Sequence, residues 1–134
     1  MKTKVLLLIW AIMALGLIAA ALPAEGESEM SKLMQKMEWY LEKENVRLKE
    51  GKPQAKFPVK QAKFLKAKAT ETKHLSDAHE AYIGTFYKEL DAYEKTESDT
   101  ARRAQYNIVV KSCITCHMEE CPGPVYRIRK NYLK

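Results

Sequence analysis

Apolar residues recur at intervals of three and four along the chain, which is the spacing of one face of an α-helix. The first such stripe lies between Met30 and Leu48 and includes Met34 and Met37. Gly51 ends the stripe and a segment with two prolines follows it, so the sequence predicts a long first helix and then a loop. No stretch after residue 24 shows the two-residue alternation of a half-buried strand.

Three further helices are predicted beyond this loop. A weaker stripe predicts a second helix with an inner face of Ala62, Leu65, Ala69 and Thr72. Ser76 or Asp77 is the expected cap of a third helix, whose predicted inner face is Ala78, Tyr82, Phe86, Leu90 and Tyr93. A fourth helix is predicted over about 100–120 and ends before Pro122. The pattern therefore favours an all-α fold, an antiparallel four-helix bundle.

The first 24 residues differ from the rest. Lys2 and Lys4 precede an uncharged run over 5–22, and Pro23 and Ala24 separate this run from an acidic stretch. A basic start, an apolar run and small residues at its end are the three parts of a secretory signal peptide. An uncleaved anchor is the alternative, because 18 such residues nearly span a bilayer. We expect a signal peptide over 1–24, one domain over 25–134, and a location in the periplasm or an equivalent extracytoplasmic compartment.

Composition narrows the classes of protein. The 134 residues are 46% hydrophobic, which is too apolar for a disordered tail and suits one globular domain. Three cysteines are too few for a dense disulfide framework. Two of the 23 basic residues lie in the signal, so the net charge falls from +6 to +4 when it is removed. The lysines are mixed with glutamates, which indicates solvated helix faces and no nucleic-acid partner.

The chemistry-bearing segment is Cys113-Ile114-Thr115-Cys116-His117, a C-x-x-C-H motif, which is the attachment sequence for c-type haem. Two thiols three positions apart on a helix project toward one side, where each can form a thioether with one vinyl group. His117 follows directly and can place its imidazole over the iron. We therefore expect one covalent haem c, attached through Cys113 and Cys116, with His117 as the proximal iron ligand.

Three other interpretations of this segment remain open. A C-x-x-C pair can be a redox dithiol, although that motif usually opens a helix in a βαβ setting. Cys113, Cys116, His117 and Cys121 can be grouped as a zinc site of a structural module, but adjacent Cys-His ligands on one helix suit a tetrahedral site poorly. A structural disulfide is the third. The sequence shows neither paired carboxylates nor a Ser/His arrangement, so no enzymatic activity is expected.

The position of the motif carries a family resemblance. Only 17 residues follow His117, so the motif lies in the last predicted long helix. This layout resembles the class II c-type cytochromes, the cytochrome c′ group and its low-spin relatives; in residues, the resemblance is confined to Cys113, Cys116 and His117. It implies a haem within the bundle, attached to the C-terminal long helix, and a distal face built from the first helix. It also implies a homo- or heterodimer that transfers electrons to a redox partner protein or binds a diatomic gas.

Cys121 departs from the family, which commonly has a basic residue four places after the haem histidine. Residues i and i+4 of a helix are neighbours on one face, so we expect Cys121 on the His117 side of the haem. Thiolate ligation occurs among small c-type cytochromes of anaerobic ammonium oxidisers, some of them heterodimers. Here it would require helix unwinding before Pro122 or donation across a subunit interface. A buried or partner-facing free thiol is the other interpretation.

The ligand on the second axial side of the iron decides the function. Met37, or else Met34, would give a six-coordinate low-spin electron carrier, although methionines at helical spacing are often core residues. Without such a ligand the iron would be five-coordinate beneath Leu33, Met37 and Leu41, and would bind NO or CO. His74 and His79 are separated by roughly 140° on a helix, so both cannot face inward. The alternatives for each are a ligand of the iron and a histidine at the surface or at a helix end, and we expect the latter.

Overall fold

The computed structural model describes residues 27–69 and 75–134, and the regular elements within these ranges are all α-helices, with no strand among them. This confirms the prediction of an all-α fold. The predicted signal peptide lies outside the described residues. In chain order the helices are α1 (Glu29–Lys49), α2 (Gln61–Lys66), α3 (His79–Lys95), α4 (Asp99–Glu120) and α5 (Val125–Arg129). Within the described ranges, no helix has the length and hydropathy needed to cross a bilayer.

Helix α1 forms as the apolar spacing predicts. The Ser28 side chain accepts a hydrogen bond from the Ser31 backbone N–H at 3.1 Å, which caps the first turn. Just beyond the other end, Gly51 has a φ of +65°, a backbone conformation that glycine adopts at little cost. The buried face comprises Met30, Leu33, Met37, Tyr40, Leu41, Glu44, Asn45 and Leu48, and Met34 is partly buried beside it.

The second helix, α2, is shorter than predicted. Helix α2 has six residues, and Phe64 is its buried side chain, whereas Leu65 is 41% exposed. The predicted inner face was therefore wrong at Ala62 and Leu65, because a single aromatic residue buries more apolar surface than the small residues of the stripe. Thr72 lies outside the described residues. The segment then returns to the start of α1, where the Met30 N–H donates to the Lys68 carbonyl at 3.1 Å.

Helix α3 has the predicted inner face at Phe86, Leu90 and Tyr93, and it differs from the prediction by one residue in its first turns. Its buried face is His79, Ile83, Phe86, Leu90 and Tyr93, while Ala78 is exposed and Tyr82 only partly buried. The predicted cap at Ser76 or Asp77 was wrong, because the N-cap residue is Ala78 and no side chain caps α3; Ser76 forms the turn before the helix instead. The Ser76 hydroxyl accepts from the Ala78 N–H at 3.2 Å, and the Ser76 carbonyl accepts from the His79 N–H at 3.1 Å.

Helices α3 and α4 form the most extensive helix pair of the described fold. A three-residue connection joins them, so they are antiparallel neighbours. The bounds of α4 agree with the prediction of about 100–120, and its buried face includes Tyr106, Val109, Val110, Cys113, Ile114 and Cys116. Asn107 pairs with the backbone of Leu133 at 2.9 and 3.1 Å, and Asn45 donates to the Asn131 carbonyl at 2.7 Å. The C-terminal segment is thereby held against α1 and α4.

Where α1 ends and α4 begins, the interior is densely filled. We call this region the tyrosine end and define it by Tyr40, Glu44, Tyr93 and Tyr106. The Glu44 carboxylate is fully buried and accepts hydrogen bonds from the Tyr93 hydroxyl at 2.8 Å and the Ala55 N–H at 3.1 Å. Burial nevertheless raises the pKa of Glu44. The opposite end, where α1 and α3 begin and α4 ends, contains a cavity, and we call it the cavity end.

Candidate functional site

The cavity has a volume of about 360 Å³ and lies between α1, α3 and the last two turns of α4. Volumes of roughly 300–1,000 Å³ are typical of sites for small molecules and cofactors. Much of the wall is apolar and comes from α1 and α3, with Met30, Met34, Met37, Leu41, Ile83 and Phe86 as its main side chains. Such a wall suits a flat, largely apolar group.

All three residues of the C-x-x-C-H motif line this cavity. Cys113 and Cys116 are buried free thiols on successive turns of α4, and His117 is partly buried beside them. The helical spacing therefore brings the three side chains together at one site, as the sequence predicted.

The two thiols are poorly suited to redox exchange. Burial raises the pKa of Cys113 to about 12. Burial, together with the nearby Glu120 and Cys121, raises the pKa of Cys116 to about 11. Both are therefore thiols at neutral pH, whereas a reactive dithiol needs a lowered pKa. This environment does not favour the interpretation as a redox dithiol.

The His117 imidazole is oriented by the backbone of Cys121. Its Nδ1 lies 3.0 Å from the Cys121 carbonyl oxygen, and the Cys121 N–H donates to the His117 carbonyl at 3.0 Å. A carbonyl oxygen can only accept, so Nδ1 is the donor in this contact, and in the neutral imidazole the lone pair is then on Nε2. This tautomer leaves Nε2 available to a metal, and a backbone carbonyl is a common partner for the other nitrogen of a metal-binding histidine.

Cys121 lies one residue beyond α4. Its backbone is extended, with φ −158° and ψ 77°, because Pro122 disfavours the helical conformation in the residue before it. Cys121 lies beside His117 as expected, but the contact is the hydrogen bond from the His117 ring to its carbonyl and not the one-turn spacing of a continuous helix. The half-buried Cys121 also lines the cavity.

The predicted distal methionines are both present in the wall. Met37 is buried and Met34 partly buried, and both line the cavity from α1 together with Leu41. Leu33, expected beside them, is buried but does not line the cavity. The first helix therefore supplies an apolar side to the site, as the sequence indicated.

His79 was expected at the surface or at a helix end, and it is the first residue of α3, so the helix-end alternative holds whereas the surface alternative was wrong. It is 9% exposed, it lines the cavity, and neither of its ring nitrogens has a hydrogen-bond partner in the described part of the chain. A buried polar group without a partner costs about 1–3 kcal/mol, so its presence calls for an explanation. The signal was available, since His79 precedes Ile83, Phe86, Leu90 and Tyr93 at spacings of four, three, four and three. His74 lies outside the described residues.

A carboxylate that sequence reasoning missed joins α3 to α4 beside the cavity. Glu120 is buried in the cavity wall, and it accepts hydrogen bonds from the Ser76 backbone N–H at 3.0 Å and from the Ser76 hydroxyl. The segment that leads into α3 is thereby attached to the last turn of α4. No local sequence pattern predicts this contact, because Ser76 and Glu120 are 44 positions apart in the chain.

The donor set does not favour zinc. Among the described residues, no group of three or more His, Cys, Asp and Glu side chains is arranged to hold a metal ion. Cys113, Cys116, His117 and Cys121 share the cavity wall without forming such a group.

No family model matches this chain, and neither a curated protein nor a solved structure is detectably similar to it. The functional argument therefore depends on the residues of the site and their geometry.

Proposed function

We propose that this chain is an exported mono-haem c-type cytochrome. The observation that carries the proposal is that Cys113, Cys116 and His117 line one largely apolar cavity, with the His117 tautomer that leaves Nε2 free. These residues occur in the order that haem attachment requires. The function would follow export to the periplasm or an equivalent compartment, with residues 1–24 removed as a signal peptide.

The residues of the cavity suit haem c in three respects. Cys113 and Cys116 would form the two thioethers, and His117 would be the proximal ligand. The methionine, leucine and aromatic side chains of α1 and α3 would cover the macrocycle and exclude water. Arg127, which also lines the cavity and pairs with Glu38 at 3.2 Å, supplies positive charge suited to a propionate. When bound, the haem supplies an iron that exchanges one electron or binds a diatomic gas.

The architecture proposed for this domain is that of the class II c-type cytochromes. The four legs of the antiparallel bundle would be α1, the segment containing α2, α3 and α4, with the haem attached to α4. We propose a homo- or heterodimer that interacts with a redox partner protein, or binds NO or CO, and has no enzymatic activity. The alternatives for the second axial ligand are Met37, Met34 and a cysteine thiolate such as that of Cys121. A zinc-stabilised structural module is the remote alternative.

The test is expression of the full chain in a host with haem-maturation machinery, followed by intact mass measurement of the mature protein. We expect the added mass of one haem, and a pyridine haemochrome spectrum with two thioethers. Cys113→Ser and Cys116→Ser should each shift that spectrum to the one-thioether form. Cys121→Ser is the matched control, and it should keep both thioethers.

A mature chain without added porphyrin mass would contradict the proposal. In that case the metal content of the purified protein becomes informative. One zinc per chain, lost in the Cys113→Ser variant, would support the structural module instead.

A further inference from the structure

The cavity wall contains a second histidine that the C-x-x-C-H motif does not account for. His79 is the first residue of α3 and is part of the wall of the same cavity as His117, with both ring nitrogens buried. We propose that His79 is the second axial ligand of the haem iron, so that the iron is held between two imidazoles. This proposal rests on the proposed function and makes it more specific.

The first argument is the unsatisfied state of the His79 ring. The side chain is more than nine-tenths buried, and both Nδ1 and Nε2 lack a partner among the described residues. Buried side-chain nitrogens in native proteins nearly always have a partner, either in the protein or in a bound group. A neutral imidazole is a common haem ligand, and coordination would provide the partner for one of its nitrogens.

The second argument is placement. Helices α3 and α4 are antiparallel and packed together, so the first residue of α3 and the last turn of α4 lie at the same end of the molecule. The backbone of His79 is held there by two successive contacts. Its N–H donates to the Ser76 carbonyl at 3.1 Å, and the Ser76 N–H donates to the Glu120 carboxylate at 3.0 Å. The position of His79 relative to the helix that carries His117 is thereby restricted.

The burial of two other candidate ligands, Met37 and Cys121, can be explained without coordination to iron. A methionine thioether is satisfied by an apolar wall without any polar partner, so the burial of Met37 is explained by packing alone. Cys121 follows α4 directly and its carbonyl accepts from His117, so the two residues would lie on the same side of a haem that His117 held. Of these three side chains, His79 has polar atoms whose burial packing does not explain.

Ligation by His79 determines which of the proposed activities the protein performs. An iron with two imidazole ligands is six-coordinate and low-spin, and no axial position remains for a gas. Nitrogen ligation also gives a lower reduction potential than methionine does. The protein would therefore be an electron carrier of low potential, and CO would bind only by displacing His79.

The experiment uses the full chain, matured with its haem, and begins with electron paramagnetic resonance of the ferric wild type. We expect the low-spin signal of two imidazole ligands. His79→Ala should keep the mass of one haem, become high-spin, bind CO readily and return to the low-spin form when free imidazole is added. Met37→Leu tests the rival ligand and should leave the ferric iron low-spin. Glu80→Ala is the matched control, since Glu80 is exposed, follows His79 in the first turn of α3 and is not part of the cavity wall, so its ferric spectrum should remain that of the wild type.

Three results would overturn the assignment: a high-spin wild type, a His79→Ala protein that stays low-spin, or a change of ligand in Met37→Leu. If His79→Ala accumulates without haem, nuclear hyperfine spectra of ferric wild type labelled with ¹⁵N-histidine decide the question, since two histidines should couple to the iron rather than one. Failure of the proposed function looks different, because in that case the wild type itself carries no porphyrin mass.

Discussion

The tyrosine end and the cavity end are built from the same three long helices, yet they differ in whether their buried polar groups have hydrogen-bond partners. At the tyrosine end, the buried Glu44 carboxylate has the Tyr93 hydroxyl and the Ala55 N–H as donors. Arg102 there has one unpaired nitrogen, Nε, but its other guanidinium nitrogens are bonded to Asp99, Gln54 and the Lys52 carbonyl. At the cavity end, His79 has no bonded ring nitrogen in the described chain, and it lines about 360 Å³ of space.

This contrast suggests a structural role for the tyrosine end and a binding role for the cavity end. The tyrosine end is complete as protein, because its side chains fill the interior and satisfy its carboxylate. The cavity end leaves apolar space and an imidazole without a partner in the described chain, and the proposed haem would fill that space and could bind the imidazole. At the tyrosine end, the fold provides hydrogen-bond donors for a buried carboxylate. The absence of such partners for the His79 imidazole at the cavity end is therefore unusual for this fold and calls for an explanation.

The largest expected effect is a loss of packing between the two ends. Phe57 lies between them and contacts the rings of Tyr40 at 5.0 Å and Phe86 at 5.8 Å. Phe57→Ala should lower the free energy of unfolding by about 3–5 kcal/mol, because a buried aromatic side chain is replaced by a void. Urea denaturation measures this change. Trp39→Ala is the matched control: Trp39 is 57% exposed, so its removal should cost no more than about 0.5 kcal/mol.

The second effect separates the two ends directly. A Cys113→Ser, Cys116→Ser double variant made without haem should have a midpoint of thermal unfolding lower than the haem-bound wild type by on the order of 10 °C, corresponding to about 2–3 kcal/mol. Hydrogen exchange should increase in the first turns of α1 and α3, because the haem would be what covers them. Peptides around Glu44 and Tyr106 should change much less. Equal loss of protection at both ends would contradict the distinction between them.

The third prediction tests how much the hydrogen bond to the buried Glu44 carboxylate contributes to stability. Tyr93→Phe removes the hydroxyl that donates to Glu44 at 2.8 Å, and it leaves a buried acceptor short of one donor. We expect a loss of about 1–2 kcal/mol in the free energy of unfolding, with no change in the haem spectrum. Tyr87→Phe is the matched control, since it removes a bond to the neutral Val59 carbonyl and should cost less. A spectral change in Tyr93→Phe would show that the two ends are coupled.

The smallest effect is a pH dependence. Burial raises the pKa of Glu44, so the folded state binds this proton more tightly than the unfolded state does. The resulting stabilisation is complete below the unfolded pKa of about 4.3 and is lost as pH rises through the raised folded value. Glu44→Gln does not titrate, so the wild type should become less stable relative to this variant as pH rises. Urea titrations over about pH 4–7 measure the difference, with the exposed Glu42→Gln as control.

Local patterns sufficed for the long elements and for the motif. The three-and-four spacing predicted α1 and its buried methionines, and the bounds of α4 were predicted from a polar break and a proline. Cys113, Cys116 and His117 follow from their spacing alone, because a helix places residues three and four apart on one side. These features depend on neighbours along the chain, which is the information that a sequence displays directly.

The remaining features depend on contacts between distant residues. In the first turns of α3 the buried residues are His79 and Ile83 instead of Ala78 and Tyr82, and packing against the neighbouring helices decides which pair lies inside. The inner face of α2 is Phe64 and not Leu65, because Phe64 packs against the rings of Phe57 and Tyr87, which come from other parts of the chain. The His117 tautomer depends on where α4 ends, which Pro122 sets by excluding Cys121 from the helix.

By itself, the sequence determined an all-helical chain, the paired thiols and the adjacent histidine, because helical periodicity and motif spacing are properties of the local chain. Only the tertiary structure decided that these residues share a cavity with His79, that this imidazole is buried without a partner, and that Glu120 joins α4 to the start of α3. The physical reason is that burial and hydrogen bonding are satisfied by the whole fold, and a residue's neighbours in space are not its neighbours in sequence.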